Sequence, residues 1–92
     1  MAVRLVVTIT AREGRGSEYA RVFTSRLVEV RSEKGCIQYD LFQNVERPDK
    51  LVLLERWTDD DALAAHLELS RKRKLIGQDL REGSSMEKYE SA

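Results

Sequence analysis

The sequence predicts an α+β fold of the ferredoxin-like type, with the element order βαββαβ and an antiparallel sheet. Three observations predict it. Apolar residues recur with a period of two from Val3 to Ile9, as in a strand with one apolar face. They then recur at three- and four-residue spacing from Tyr19 to Val30, as on one face of a helix. Two more alternating stretches, joined by a turn at Pro48, precede a second helical region and a last strand.

The first strand and first helix are separated by a Gly-rich break. Val3, Leu5, Val7 and Ile9 form the apolar side of the strand, and residues 13–16 interrupt the alternation. We expect Ser17 to cap the helix through its hydroxyl. We expect the helix to end at Gly35, where the chain needs a left-handed residue. The residues predicted to face the core from this helix are Tyr19, Val22, Phe23, Leu27 and Val30.

The next two strands form a predicted hairpin. The first contains Ile37, Tyr39, Leu41 and Val45, and the turn is Arg47–Pro48–Asp49. Our expected register places Tyr39 opposite Trp57, on the same face of the sheet.

The third strand, from Leu51 to Trp57, is apolar on both faces. Leu51, Leu53 and Trp57 share one face, and Val52 and Leu54 share the other. Strands that are apolar on both sides are normally covered on both sides. Two helices cover only one face, so the sequence predicts a homodimer in which a second copy covers the other.

The last third of the chain predicts a broken helical region. Thr58 and Asp61 have the spacing of a capping box at its start. A second helical stretch is expected over residues 71–82, ending at Gly83, and a short strand over residues 85–90. The residues predicted to face inward are Leu63, His66, Leu67, Ser70, Leu75, Ile76 and Leu80.

Composition limits the classes of protein to consider. The chain has 92 residues, and residues 1–92 are the length of one domain. Sixteen basic and 16 acidic residues give no formal net charge, which disfavours a nucleic-acid binder. No apolar run approaches the roughly 20 residues of a membrane span, so we expect no membrane partner. One cysteine forms no internal disulfide, and the predicted location is cytoplasmic.

An ordered set of residues resembles the antibiotic biosynthesis monooxygenase family. It reads Glu33-x-Gly35-Cys36-x-x-Tyr39, then Glu55-x-Trp57-x-Asp59 after the hairpin, and His66 nine residues beyond the tryptophan. The resemblance implies a ferredoxin-like unit that pairs through its sheet into a dimeric α+β barrel. It also implies a cofactor-independent oxygenase, closest in type to the quinol monooxygenases.

Four residues are candidates for the site. His66 is the one histidine, and histidine is the side chain whose ordinary pKa lies nearest neutrality. It is the candidate catalytic base; the alternative is a packed helix residue. Trp57, Tyr39 and Glu55 are candidate substrate-binding residues. Trp57 and Tyr39 are also plausible as core residues, and for Glu55 an ion pair with an arginine, a position at the dimer interface and a raised pKa all remain open.

Other motifs are assigned structural roles or are missing. We expect Cys36 to be a small buried residue and the basic run 71–74 to be a solvated helix face. One histidine and one cysteine do not make an ordinary zinc site, and the sequence has no phosphate loop or dinucleotide fingerprint. We therefore predict no metal and no cofactor.

The resemblance leaves two functions open. In the first, an electron-rich aromatic substrate reacts with O2 directly, while the protein supplies a dry cavity and a proton acceptor. In the second, the chain is a non-catalytic dimeric module that binds a small molecule. A cavity lined by Trp57, Tyr39 and His66 would favour the oxygenase, and a collapsed core there would favour the module. Haem degradation is disfavoured, because Val7 and Thr8 occupy the region where haem-degrading relatives carry an asparagine.

Overall fold

The computed structural model describes residues 1–91 and contains a four-stranded antiparallel sheet with two helices on one face. The strand order is β2-β3-β1-β4, which confirms the predicted ferredoxin-like βαββαβ fold. Within these residues no helix is long and apolar enough to cross a membrane. The elements in chain order are β1 (Ala2–Ala11), α1 (Gly16–Arg31), β2 (Cys36–Gln43), β3 (Lys50–Trp57), α2 (Asp60–Lys72), a 3₁₀ turn (Gln78–Leu80) and β4 (Arg81–Ser91).

The alternation in β1 and β3 sets the core. Val3, Leu5 and Ile9 of β1 are buried under the helices. On β3 the buried face carries Leu51, Leu53, Glu55 and Trp57. This confirms the predicted faces of both strands, because successive side chains of a strand point to opposite sides of a sheet. The opposite face of β3, with Val52 and Leu54, is only half-buried.

The predicted hairpin register is wrong, although the predicted face is right. Tyr39 lies opposite Glu55, not opposite Trp57. A shift of two residues keeps every side chain on its face, so Tyr39 still points under the helices. Val45, predicted within the strand, is 97% exposed, because β2 ends at Gln43. The side chain of Asn44 then begins the turn by accepting hydrogen bonds from two following backbone amides.

The start of α1 corrects a second expectation. Ser17 does not cap the helix; Gly16 is its first residue. The Asp49 carboxylate, from the hairpin turn, accepts hydrogen bonds from the backbone N–H groups of Gly14 and Gly16, each at 2.9 Å. A β-carbon on Gly16 would lie 1.9 Å from the Pro48 carbonyl oxygen, so only glycine allows this close approach. Such a cap comes from 33 residues away, beyond the reach of a local sequence pattern.

The end of α1 also lies earlier than expected. The helix ends at Arg31, and Gly35 lies in the turn before β2. Gly35 has the predicted left-handed backbone, with φ of 84°. Its carbonyl accepts a hydrogen bond from the Thr58 N–H at 2.9 Å, which ties this turn to the start of α2.

The cap and inner face of α2 are partly as predicted. Asp59, not Thr58, is the cap, and its carboxylate accepts from the Ala62 N–H at 2.8 Å. Leu63 and His66 are buried as expected. Leu67 is exposed, which corrects its predicted inward position. The inner stripe of α2 is therefore narrower than its apolar residues suggest.

The predicted helix over residues 71–82 is wrong. α2 runs on to Lys72, and Arg73 then adopts an extended backbone. Gly77 takes a left-handed conformation, so one 3₁₀ turn replaces the helix. Leu80 is buried and Ile76 packs against the core, but Leu75 is exposed. β4 starts early as a result: its range, Arg81–Ser91, includes Gly83, where the helix was expected to end.

Candidate active site

All four predicted site residues meet under the helices. Tyr39 comes from β2, Glu55 and Trp57 come from β3, and His66 comes from α2. Each is at most 5% exposed. Strand alternation places the first three on the helix-covered face, and the inner stripe of α2 lays His66 over them. Residues that lie far apart along the chain thus form one buried cluster.

His66 is held by two aromatic rings and a carboxylate. Its ring stacks on Trp57, with centroids 4.5 Å apart, and meets the edge of Tyr39 at 5.6 Å. His66 Nδ1 lies 2.9 Å from Glu33 Oε1. On the other side, Nε2 lies 3.4 Å from Ser70 Oγ and 3.8 Å from Glu55 Oε1. The imidazole therefore lies between the buried Glu55 and the partly buried Glu33, with its own position fixed.

Glu55 is buried beside the histidine and does not reach the outer face of the sheet. The indole Nε1–H of Trp57 donates to Glu55 Oε1 at 3.0 Å. Burial raises the pKa of the Glu55 carboxyl, and the Trp57 hydrogen bond and the His66 charge oppose that rise. Of the alternatives left open for Glu55, the raised pKa describes the structure. Its polar contacts are with Trp57 and His66 in place of the expected arginine, and its side chain does not point to the open face of the sheet.

Tyr39 and Cys36 are unsuited to act as bases. Burial raises the pKa of the Tyr39 phenol well above its ordinary value, and the negative charge of Glu55 raises it further. Burial likewise raises the pKa of the Cys36 thiol, with further increases from Glu33 and Glu55. Both side chains stay neutral and pack. Tyr39 continues a row of rings, since it stacks near Phe23, which in turn stacks on Tyr19.

Two residues of the cluster received no role from the sequence. Glu33 belongs to the motif but gives no local sign that it contacts a histidine 33 positions later. Arg73 belongs to the basic run 71–74, which was assigned to solvent. Arg71, Lys72 and Lys74 are indeed exposed, but Arg73 turns inward to Glu33. For Glu33 the available signal was its place in the motif. For Arg73 the sequence held none, since it is one of four consecutive basic residues.

The cluster is close-packed. Three clefts in the described part of the chain lie elsewhere, and none is lined by Trp57, Tyr39, Glu55 or His66. The largest, of about 410 Å³, lies at the outer edge of the hairpin between Phe42, Arg47 and Val52. The other two border the acidic start of α2. A substrate would reach His66 only if neighbouring side chains moved.

Comparison with known proteins identifies a family and one curated relative. Residues 2–75 match the antibiotic biosynthesis monooxygenase family. The chain is 33% identical over 60 residues to "Putative monooxygenase YcnE" of Bacillus subtilis (strain 168). That alignment covers 65% of this chain and 63% of the relative, which is less than two thirds of the relative's length.

Solved structures show the same fold. PA3566 from Pseudomonas aeruginosa superimposes with a TM-score of 0.82 and 27% identity, over 99% of this chain and 94% of the other. SnoaB from Streptomyces nogalater, described as a cofactor-independent oxygenase and solved as a mutant, gives a TM-score of 0.80 at 20% identity, over 98% and 92%. At 20% identity this likeness concerns the fold alone.

Proposed function

The chain belongs to the antibiotic biosynthesis monooxygenase family, and we propose that it is a cofactor-independent monooxygenase that oxidises a small aromatic, quinol-type substrate with O2. The observation that carries the proposal is the buried His66, stacked on Trp57 and held at Nδ1 by Glu33. It combines a proton acceptor with flat aromatic walls in a place shielded from water.

The proposed reaction needs only the substrate and O2. His66 accepts the proton of a phenolic hydroxyl, and the electron-rich phenolate passes an electron to O2. The two radicals combine at a ring carbon, and loss of water from the adduct converts a hydroquinone into a hydroxyquinone. One oxygen atom stays in the product, the other leaves as water, and the substrate supplies all four electrons. Trp57 and Tyr39 would orient the ring, and Glu55 would contact a polar group on it.

Because the site is packed, the proposed reaction requires side chains to move before a substrate can reach His66. The four candidate residues lie in a core against which half-buried apolar side chains pack, among them Leu27, Leu41 and Ile76. Ile76 lies on the irregular segment between α2 and the 3₁₀ turn. We propose that a substrate enters by displacing the part of this segment around Ile76, which forms neither helix nor strand.

The same packing supports a second candidate function. A non-catalytic dimeric module needs no opening to His66, and the collapsed core is the arrangement that favours it. In that case His66, Glu33 and Glu55 would form a structural polar cluster. The oxygenase and the module differ in one measurable property, which is consumption of O2 by a bound aromatic compound.

Oxygen uptake with a panel of hydroquinones, catechols and anthrones, in the presence of a metal chelator, tests the proposal. We expect uptake that depends on the protein, and one atom of ¹⁸O in the product when ¹⁸O2 is used. The matched controls are His66→Ala and Leu67→Ala, which alter a buried and an exposed residue of the same helix. Trp57, the one tryptophan, reports binding through its fluorescence. Quenching without uptake for every compound would replace the oxygenase by the binding module.

We further propose a homodimer formed through the sheet face that the helices leave open. That face carries half-buried Val6, Val52 and Leu54, and exposed Phe42 and Tyr89. The absence of net charge removes a general repulsion between copies. Sedimentation at micromolar concentration should show a dimer, and Leu54→Glu should convert it into a monomer. A native protein that sediments as a monomer contradicts this.

The cytoplasmic location also remains a prediction.

A further inference from the structure

Glu33 and Arg73 form a chain of charged groups that leads to His66 from the protein surface. Arg73 Nη1 lies 2.5 Å from Glu33 Oε2, as a close ion pair rather than an aligned hydrogen bond. Arg73 Nε lies 3.7 Å from Glu29 Oε2, and Glu29 is half exposed. The side chains of Glu33 and Arg73 are 9% and 16% exposed. The partly buried carboxylate of Glu33 therefore has a cation on one oxygen and an imidazole on the other.

The contact at Nδ1 determines which ring nitrogen of His66 carries the proton. An ionised carboxylate accepts hydrogen bonds and donates none. The 2.9 Å contact between Glu33 Oε1 and His66 Nδ1 therefore requires a proton on Nδ1. In the neutral ring, Nε2 then keeps its lone pair. Nε2 is the nitrogen that faces Ser70 and Glu55.

From this we infer that Glu33 and Arg73 are positioning residues, which hold His66 in the form with Nδ1 protonated and present Nε2 to the substrate. The role in substrate oxidation rests on the proposed function; the protonated position of the ring does not. Arg73 places a cation beside Oε2 of Glu33, and Oε1 of the same carboxylate lies against Nδ1 of His66. A buried ion pair adds little to stability compared with apolar packing, because both charges must leave water. The desolvation cost of the Arg73–Glu33 pair is therefore better explained by a role in orienting His66 than by a gain in stability.

Other charged and titratable groups face the same ring. Glu55 comes from β3, Tyr39 from β2, and Ser70 lies one turn further along α2. Glu55 Oε1 is 3.8 Å from Nε2, whereas Glu33 Oε1 is 2.9 Å from Nδ1. The nearer carboxylate dominates the choice between the two nitrogens. Glu55 is also engaged with the Trp57 indole.

The single histidine makes the inference directly measurable. In untagged protein labelled with ¹⁵N-histidine, all imidazole nitrogen signals belong to His66. Above the pH at which the ring loses its charge, we expect Nδ1 to give the protonated-type signal and Nε2 the unprotonated-type signal. Glu33→Gln, whose amide can either donate or accept, should mix the two forms, and Arg73→Ala should do so to a smaller extent. Arg71→Ala, in the same basic run but exposed, is the matched control and should leave the spectrum unchanged.

A purely structural pair would lower the melting temperature in Glu33→Gln but would not alter the proton position. A native spectrum with the proton on Nε2 overturns the inference whether or not any variant folds. An unchanged spectrum in folded Glu33→Gln also overturns it. On a substrate that the native protein oxidises, Glu33→Gln should lower kcat by about 10–100-fold, the size of effect seen for carboxylates that orient metal-binding histidines, while KM changes little. If no substrate is oxidised, the proposed function fails, and the spectra still decide the positioning role.

Discussion

The two faces of the sheet are built from the same strands and differ in what covers them. Under the helices, Trp57 and Leu53 pack with the buried His66 and Glu55, and the partly buried Glu33 contacts the histidine. On the other face, Leu54 and Val52 remain half-exposed beside polar residues such as Arg4, which donates a hydrogen bond to Gln38. The covered face can hold charges because each has a partner. The open face is the one that we propose pairs with a second copy of the chain.

The largest expected effect concerns the covered face. If His66 accepts the substrate proton, His66→Ala should lower turnover by ~10²–10⁴-fold, because a positioned base contributes that much. The measurement is kcat on a substrate found in the oxygen-uptake panel, with circular dichroism to show that the fold persists. Full activity in the alanine variant would remove His66 from the mechanism and leave water or Glu55 as the proton acceptor.

Alanine substitutions at Leu53 and Leu54, which are neighbours on opposite faces of β3, compare how much each face contributes to stability. Leu53→Ala should lower the free energy of unfolding by ~2–5 kcal/mol, since a buried leucine loses its packing and leaves a cavity. Leu54→Ala should cost less within one chain, and its effect should grow with protein concentration if the open face is a dimer interface. Urea unfolding at two concentrations measures both. Equal losses that do not depend on concentration would mean that the two faces are equivalent.

Glu55, on the covered face, should make the stability of the protein depend on pH. Its pKa in the folded protein is raised above the ordinary value of 4.5, mainly by burial. The folded state therefore holds the proton more tightly than the unfolded chain, and stability should fall as pH rises from the unfolded pKa through the folded one. Glu55→Gln, which can still accept from Trp57, should flatten this fall. Unfolding free energies between pH 4 and 8 test it, and an unchanged slope would contradict the raised pKa.

The smallest effects should occur at the start of α1, outside both faces. Asp49→Ala removes the carboxylate that holds two amides and should cost ~0.5–2 kcal/mol, as for other helix caps. Arg15→Ala breaks only an exposed pair with Glu18 and should change stability by less than about 0.5 kcal/mol. Thermal melts of the two variants provide the comparison. An Asp49→Ala variant as stable as the native protein would contradict the cap.

Much of the covered face could be predicted from local pattern. The alternation in β1 and β3 places Val3, Leu5, Leu53 and Trp57 on the correct face, because successive side chains of a strand point to opposite sides of the sheet. The same rule places Tyr39 beside Glu55 and Trp57 even though the predicted register is off by two residues. The family motif then gathers His66 with them. Whether these residues act on a substrate is a separate question, which the activity measurements address.

The sequence by itself determined the βαββαβ order and the inner faces of β1 and β3, since these depend on periodicity. The resemblance to the family then grouped Tyr39, Glu55, Trp57 and His66. Only the tertiary structure decided where α1 begins, because Asp49 caps it from the hairpin turn, and that Arg73 turns inward to Glu33 after α2 ends. It also decided that the aromatic cluster is packed, and that Glu33 meets His66. Such contacts join residues some 30 or more positions apart, and no periodic pattern encodes them.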